Sequence, residues 1–149
     1  MSELPKNLEF KIKASWDGKS GVKMMTSGGK TISTDTPSEF GGLGASPCPD
    51  ELFLASIAGC VLTTFLWFVR KKGIKISDVR LEARSEIELA KAVYTFRKVK
   101  IFAEIFTPEE YVEAARSCLD LAIKYCHIFK GIEHCIPIEV SGKVLVRED

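Results

Sequence analysis

The fold is decided by one stretch of the sequence, Glu51-Leu-Phe-Leu-Ala-Ser-Ile-Ala-Gly-Cys-Val-Leu-Thr-Thr-Phe-Leu-Trp-Phe-Val69, in which residues 52–69 carry no charge. The preceding Pro47-Cys48-Pro49-Asp50-Glu51 places proline and two carboxylates in a first helical turn. Proline costs no hydrogen bond there, and negative charge meets the positive end of the helix dipole. The sequence therefore predicts a long helix that starts near Pro49.

This helix has two interpretations. Its length reaches the lower limit of a membrane span, but small and polar residues dilute its apolar character, namely Ser56, Gly59, Cys60, Thr63 and Thr64. A helix that is apolar all round is otherwise a core helix, covered by its own sheet or by a second subunit. We therefore expect a long buried central helix, no membrane, and an obligate homodimer with more than about 2,000 Å² of interface.

Alternating apolar and polar residues predict strands on both sides of this helix. The alternation covers residues 8–16, 79–88 and 98–105, and a last strand includes Ile138, Val140, Val144 and Val146. Asp17-Gly18 and Ser27-Gly28-Gly29-Lys30 predict two hairpin turns within the first block of strands. The first block therefore holds three strands.

A second helix is predicted over residues 111–126, behind a capping box at Thr107-Pro108-Glu109-Glu110. The order is then three strands, helix, two strands, helix and strand, which is typical of an α+β fold and not of a doubly wound one. No linker or repeat divides residues 1–149, so we expect a single domain.

Charge and composition limit the partners and the compartment. The 149 residues carry 21 basic and 20 acidic side chains, which are interspersed, so nucleic acid is not expected as a partner. Residues 1–10 lack the apolar segment of a signal peptide, and we expect a cytoplasmic protein. Five cysteines in such a chain favour transient redox chemistry over structural disulfides.

Cys60 lies too far along the helix for the helix N-terminus to stabilise its thiolate, so cations or donors must come from elsewhere. Its helical neighbours Ser56, Thr63 and Thr64 form a hydroxyl-lined stripe. Two interpretations stay open at this point: a reactive thiol, or a small hydrophobe at a site of close helix contact. Glu51 lies on the opposite side of an ideal helix and would reach Cys60 only across a subunit interface or through a bend.

A metal site is a further alternative. Cys126-His127 and His134-Cys135 offer four soft ligands within ten residues. Adjacent side chains rarely converge on one ion, so we expect neither a metal nor a cofactor.

The sequence resembles the OsmC/Ohr family, which is named for osmotic induction and organic hydroperoxide resistance. The resemblance lies in Gly41-Gly-Leu-Gly-Ala-Ser-Pro-Cys-Pro-Asp-Glu51-Leu-Phe-Leu-Ala-Ser-Ile-Ala-Gly-Cys60, Tyr94-Thr-Phe-Arg-Lys-Val99 and Ala122-Ile-Lys-Tyr-Cys126. It covers nearly the whole chain and implies an α+β fold in which two intertwined subunits wrap two three-stranded β segments around the central helices.

The resemblance also implies a function, because the best-known members are thiol peroxidases for organic hydroperoxides. By position, Cys60 is similar to the peroxidatic thiol and Cys126 to the resolving thiol, and Glu51 to the acid that orients an activating arginine. The implied chemistry is a Cys60 sulfenic acid that condenses with Cys126 to a disulfide, which a lipoyl or thioredoxin-type dithiol reduces. The two cysteine Cα atoms are then expected within about 7 Å, or within a small shift of it.

The chain departs from the family pattern in two places and is similar to a less characterised OsmC-like branch. Lys19 stands near one family arginine position, and we hypothesise that it reaches toward Glu51 at a subunit boundary; the alternative is an exposed turn lysine. His127 stands where many relatives have proline, and either helps to ionise the neighbouring thiol or is an exposed ring.

Two functions from different classes therefore stay open. One is a peroxidase for organic hydroperoxides. The other is a non-enzymatic redox sensor, or a binder of a small apolar ligand, on the same dimeric fold.

Overall fold

The computed structural model describes residues 5–148, which form two compact units. The first unit ends at Leu52 and holds a three-stranded antiparallel sheet of β1 (Ile12–Trp16), β2 (Gly21–Thr26) and β3 (Thr31–Asp35). The second begins at Phe53 and holds a sheet of β4 (Asp78–Ala90), β5 (Val93–Thr107) and β6 (Ile138–Val146). The helices are α1 (Pro49–Lys72), which starts in the first unit, α2 (Val112–Tyr125) and α3 (His127–Ile132), with short 3-10 helices at Ser38–Phe40 and Glu109–Tyr111.

These helices and strands confirm the predicted α+β class, with two three-stranded sheets and a long helix. The expectation of a single domain over residues 1–149 stays a prediction.

Both hairpins of the first unit are confirmed, since β2 pairs with β1 and with β3 in antiparallel register. The prediction that the first strand buries one face is wrong for the described chain. The strand starts only at Ile12, so Leu8 and Phe10 fall outside it, and every residue of β1 is exposed. Alternation records which side chains are apolar, but burial depends on a covering surface.

The sheet of the second unit combines two kinds of pairing. β4 and β5 form the predicted long hairpin, which turns at Lys91 and Ala92, both in the left-handed region with φ of 49° and 64°. β6 runs parallel to β5. Parallel neighbours need a crossover, and α2 and α3 supply it.

The core of the second unit forms around one stripe of α1. Its buried residues recur every fourth position, and they are Ile57, Val61, Phe65 and Val69. They belong to two apolar clusters with the inward-facing residues of β5 and the buried side of α2. Burying such side chains stabilises the fold by about 1.5–3 kcal/mol each.

The rest of α1 is less buried than the sequence indicates. Ser56, Gly59 and Thr63 are exposed, and Trp67 retains 49% of its accessible surface. By length and composition alone, α1 also satisfies the requirements of a membrane-spanning helix. Its buried stripe, however, belongs to the core of the second unit, as in a core helix.

The helix starts differ from each other. α1 begins at Pro49 as predicted, and the Cys48 amide donates to Glu51 Oε2 at 2.8 Å. The predicted capping box before α2 is wrong, because Thr107 is the fully buried last residue of β5 and its hydroxyl donates to the Lys75 carbonyl. The chain then makes a 3-10 turn, and α2 starts only at Val112.

Candidate functional site

Cys60 lies on α1 at the edge of the buried stripe, between Ile57 and Val61, and its side chain is half-buried. The hydroxyls of the predicted stripe do not donate to its thiol. Each of them donates instead to a carbonyl of the helix: Ser56 to Phe53, Thr63 to Gly59 and Cys60, and Thr64 to Cys60. Helix hydroxyls commonly bond back to the preceding turn in this way. The stripe therefore supplies no hydrogen-bond donor to the Cys60 thiol.

Cys126 lies at the junction of two helices. It is the C-cap of α2 and the N-cap of α3, with an extended backbone at φ −67° and ψ 107°. Its sulfur accepts a hydrogen bond from the Phe129 amide at 3.5 Å, which satisfies one of the unpaired donors at the start of α3. The residue is fully buried.

The structure brings the Cys60 and Cys126 thiols into contact, and both are free. Burial raises the pKa of Cys126 from 9.0 to about 11, and the hydrogen bond with Cys60 adds to the rise. Burial favours the neutral form of a thiol. Cys126 is therefore a protonated thiol next to Cys60 at neutral pH.

His127 adds a third group to this pair. Its Nδ1 lies 3.9 Å from the sulfur of Cys60, and its ring is exposed. The sequence left open whether His127 acts on the adjacent Cys126 or is an exposed ring. The ring is exposed, but the thiol it faces is Cys60, which lies 67 residues earlier in the chain.

Glu51 and Lys19 both lie in the first unit, and no hydrogen bond or ion pair joins them within residues 5–148. Glu51 caps the first turn of α1. Lys19 is an exposed residue of the turn between β1 and β2; its amide donates to Asp17, and its carbonyl accepts from the Trp16 indole. A contact between Lys19 and Glu51 at a subunit boundary stays a prediction, as do their catalytic roles.

A buried carboxylate that sequence reasoning missed organises the loop before α1. Asp35 accepts hydrogen bonds from the Ser20 hydroxyl and from the Thr36 and Ala45 amides. These hydrogen bonds lower the pKa of Asp35, and the bond from Ser20 has the largest effect. The loop they hold contains the Gly41-Gly42 pair of the sequence motif.

Backbone geometry explains why Gly41 and Gly42 of this loop are glycines. Gly41 has φ of 82°, which disfavours other residues. A Cβ on Gly42 would collide with the carbonyl of Thr36. The motif therefore specifies the backbone that leads into α1.

The remaining three cysteines do not belong to this thiol pair. Burial raises the pKa of Cys118, Cys135 is exposed, and Cys48 precedes α1. Within residues 5–148 no cluster of three His, Cys, Asp or Glu side chains is arranged to hold a metal ion.

An apolar pocket of about 450 Å³ opens one helical turn beyond Cys60. Its lining comes from α1 and α2 and consists of Thr64, Trp67, Phe68, Leu121 and Tyr125. The aromatic rings of Trp67, Phe68 and Tyr125 contact one another in series. Such a surface suits a small apolar molecule.

Comparison with known proteins gives the family. Residues 42–141 match the family described as OsmC-like protein, and the chain belongs to this family. The resemblance inferred from the sequence is thereby confirmed. YmaD of Bacillus subtilis, named as an uncharacterized protein, is 24% identical over 140 residues, which cover 91% of this chain and 93% of YmaD.

Solved structures share the fold. An OsmC like protein from Mycoplasma pneumoniae superimposes with a TM-score of 0.77 at 16% identity, covering 95% of this chain and 99% of that chain. An organic hydroperoxide resistance protein from Elizabethkingia anophelis gives a TM-score of 0.69 at 19% identity, covering 99% and 100%. At these identities the likeness concerns the fold.

Proposed function

We propose that the protein is a thiol-dependent peroxidase that reduces organic hydroperoxides. The observation that carries the proposal is the contact between a half-buried thiol, Cys60, and a buried, protonated thiol, Cys126. Organic hydroperoxide resistance proteins with the same fold support the choice of substrate.

In the first step the Cys60 thiolate attacks the terminal oxygen of the hydroperoxide. A sulfur–oxygen bond forms and the oxygen–oxygen bond breaks, and the alkoxide leaves and takes up a proton as the alcohol. The sulfur is oxidised by two electrons to a sulfenic acid. Cys126 is poorly suited to this step, because it is fully buried and its pKa lies near 11.

In the second step Cys126 attacks the sulfur of the Cys60 sulfenic acid. A disulfide forms, the sulfur–oxygen bond breaks, and the hydroxyl leaves as water with the proton of Cys126. The contact between the two thiols makes this reaction intramolecular, which favours it over attack by an external thiol. An external dithiol of the lipoyl or thioredoxin type then reduces the disulfide by exchange.

We also propose that the working form is a cytoplasmic homodimer. The exposed side of α1, with Trp67, and the exposed apolar residues of β1 support this proposal, since large apolar surfaces mark association sites. Light scattering at micromolar concentration tests it: we expect the mass of two chains, and a monomer would contradict the proposal.

The decisive experiment measures consumption of cumene hydroperoxide with dihydrolipoamide as the reductant. Cys60→Ser should abolish turnover, while Cys126→Ser should turn over more slowly than the parent, because the external dithiol must then attack the Cys60 sulfenic acid directly. Cys135→Ser is the matched control, because its side chain is exposed and lies outside the thiol pair. Equal turnover in the parent and in Cys60→Ser would refute the proposal.

The alternative is a non-enzymatic redox sensor or a binder of a small apolar ligand. The pocket beside Thr64 and Trp67 favours this alternative. The same assay distinguishes the two functions, because a sensor forms the disulfide once and shows no sustained turnover with the dithiol. Quenching of Trp67 fluorescence by a bound ligand, without hydroperoxide consumption, would favour the binder.

A further inference from the structure

The polar surroundings of the Cys60 thiol are sparse. In the part of the chain that the structure describes, the side-chain groups in hydrogen-bonding reach of its sulfur are the Cys126 thiol and Nδ1 of His127. Cys126 is protonated over the neutral range because its pKa is near 11. Within residues 5–148 of one chain, this leaves the imidazole as the side chain in reach that can accept the Cys60 proton.

Charged side chains on the neighbouring elements are engaged elsewhere. Residues 52–69 of α1 carry no charge. Lys124 lies over the Tyr125 ring, and Lys130 pairs with Glu133 at 3.0 Å. In the described part of the chain, none of these charged side chains forms a hydrogen bond with the Cys60 sulfur.

The backbone presents His127 and Cys126 to Cys60 together. Cys126 is extended and caps α3, and His127 is the first residue of that helix. The two side chains therefore reach the same sulfur from one helix junction, where Phe129 is buried in the apolar core and its amide donates to the Cys126 sulfur. The 3.9 Å separation is long for a hydrogen bond to sulfur, but catalytic hydrogen bonds are often long before substrate binds.

We infer that His127 activates Cys60 as its proton acceptor. The Cys60 proton moves to Nδ1 of His127, which leaves a thiolate beside an imidazolium. When the thiolate attacks the hydroperoxide, the imidazolium returns this proton to the departing alkoxide, and the imidazole is neutral again. The return of the proton rests on the proposed peroxidase function, whereas the activation of the thiol is independent of it.

The first test is the pH dependence of Cys60 alkylation by iodoacetamide, followed by mass spectrometry of the Cys60 peptide. An opposite charge within about 4–6 Å shifts a titration by about 1–3 pH units, so His127→Phe should move the alkylation midpoint upward by at least about one unit. His127→Gln should behave likewise, because an amide preserves polarity and size but accepts no proton. His134→Asn is the matched control, since His134 is the other histidine of the chain and its side chain is 89% exposed.

The second test uses ring-proton NMR, which is tractable because the chain contains two histidines. A thiolate stabilises the imidazolium, so the midpoint of the His127 titration should fall in Cys60→Ser, and that of His134 should not move. This readout also shows whether a variant is folded. A merely structural His127 would leave both midpoints in place.

The third test separates this inference from the proposed function. At about pH 7, His127→Gln should slow hydroperoxide consumption by a factor on the order of ten to a hundred, with a smaller loss at alkaline pH. If alkylation depends on His127 but the parent consumes no hydroperoxide, the peroxidase proposal fails and the thiol activation stands. Unchanged alkylation in His127→Phe and an unchanged His127 titration in Cys60→Ser would overturn the inference.

Discussion

The five cysteines should differ in reactivity in a way that can be calculated from the structure. Cys126 is fully buried, with a pKa near 11, whereas Cys135 is exposed. At about pH 8 a thiol with the ordinary pKa of 9.0 is roughly 10% thiolate. At the same pH a thiol with a pKa of about 11 is roughly 0.1% thiolate.

Since alkylation requires the thiolate, this difference alone should make Cys126 about 100-fold slower than an ordinary exposed thiol. Burial reduces access of the reagent as well and adds to the protection of Cys126. Cys118, which is buried and whose pKa is also raised, should be protected with it.

The assay is a time course of iodoacetamide labelling with peptide mapping, in which Cys135 serves as the internal standard. The reduced protein should label quickly at Cys135 and stay protected at Cys126 until it is unfolded. Concentrated guanidinium chloride should then equalise all five cysteines. Labelling of Cys126 at a rate close to that of Cys135 in the folded protein would refute the assignment of Cys126 as the protected thiol.

Three further predictions concern stability, measured by urea unfolding. Ile57→Ala, at a fully buried position of α1, should cost about 2–5 kcal/mol, whereas Leu89→Ala on an exposed strand position should cost little. Asp35→Asn should destabilise the protein at neutral pH and make its stability less sensitive to acid. Because folding lowers the pKa of Asp35, the ionised carboxylate stabilises the fold at pH values above the pKa of Asp35 in the unfolded chain. This contribution is lost as the pH falls through the pKa of Asp35 in the folded protein. Gly42→Ala should lower the unfolding midpoint because its Cβ would collide with the Thr36 carbonyl. Gly28→Ala should not, because its Cβ would make only an ordinary contact with Thr26 Oγ1 at 3.9 Å; equal midpoints would contradict this.

Local patterns were sufficient for much of the fold. The start of α1, the two hairpins of the first sheet and the long hairpin of the second follow from turn residues and from alternation. Burial was harder to predict. Alternation in residues 8–16 predicted a buried face, yet the strand is short and exposed in the single chain.

The capping box at Thr107 failed for a related reason. The same residues satisfy a local helix signal and the end of a long strand, and burial of Thr107 in the sheet decided between them. Tertiary structure overrides a local signal when the side chain gains more by burial and by its bond to Lys75 than by capping.

The candidate site was predictable only in part. Family resemblance indicated Cys60 and Cys126, and the structure brings them together. It did not indicate that His127 faces Cys60, because the sequence places His127 beside Cys126. That contact depends on the extended backbone at Cys126, which turns the chain between α2 and α3 and is not visible in any short pattern.

The different roles that we propose for the two thiols rest on where each lies in the fold. Cys60 is at the edge of the buried stripe of α1, where its side chain is half-buried and its sulfur lies 3.9 Å from Nδ1 of His127. Cys126 is at a buried helix junction, where burial keeps it neutral and a backbone amide fixes its sulfur. A histidine next to Cys126 in sequence therefore does not make Cys126 the nucleophile. The backbone at this junction instead places the imidazole 3.9 Å from the Cys60 sulfur, which is why we propose Cys60 as the thiol that it activates.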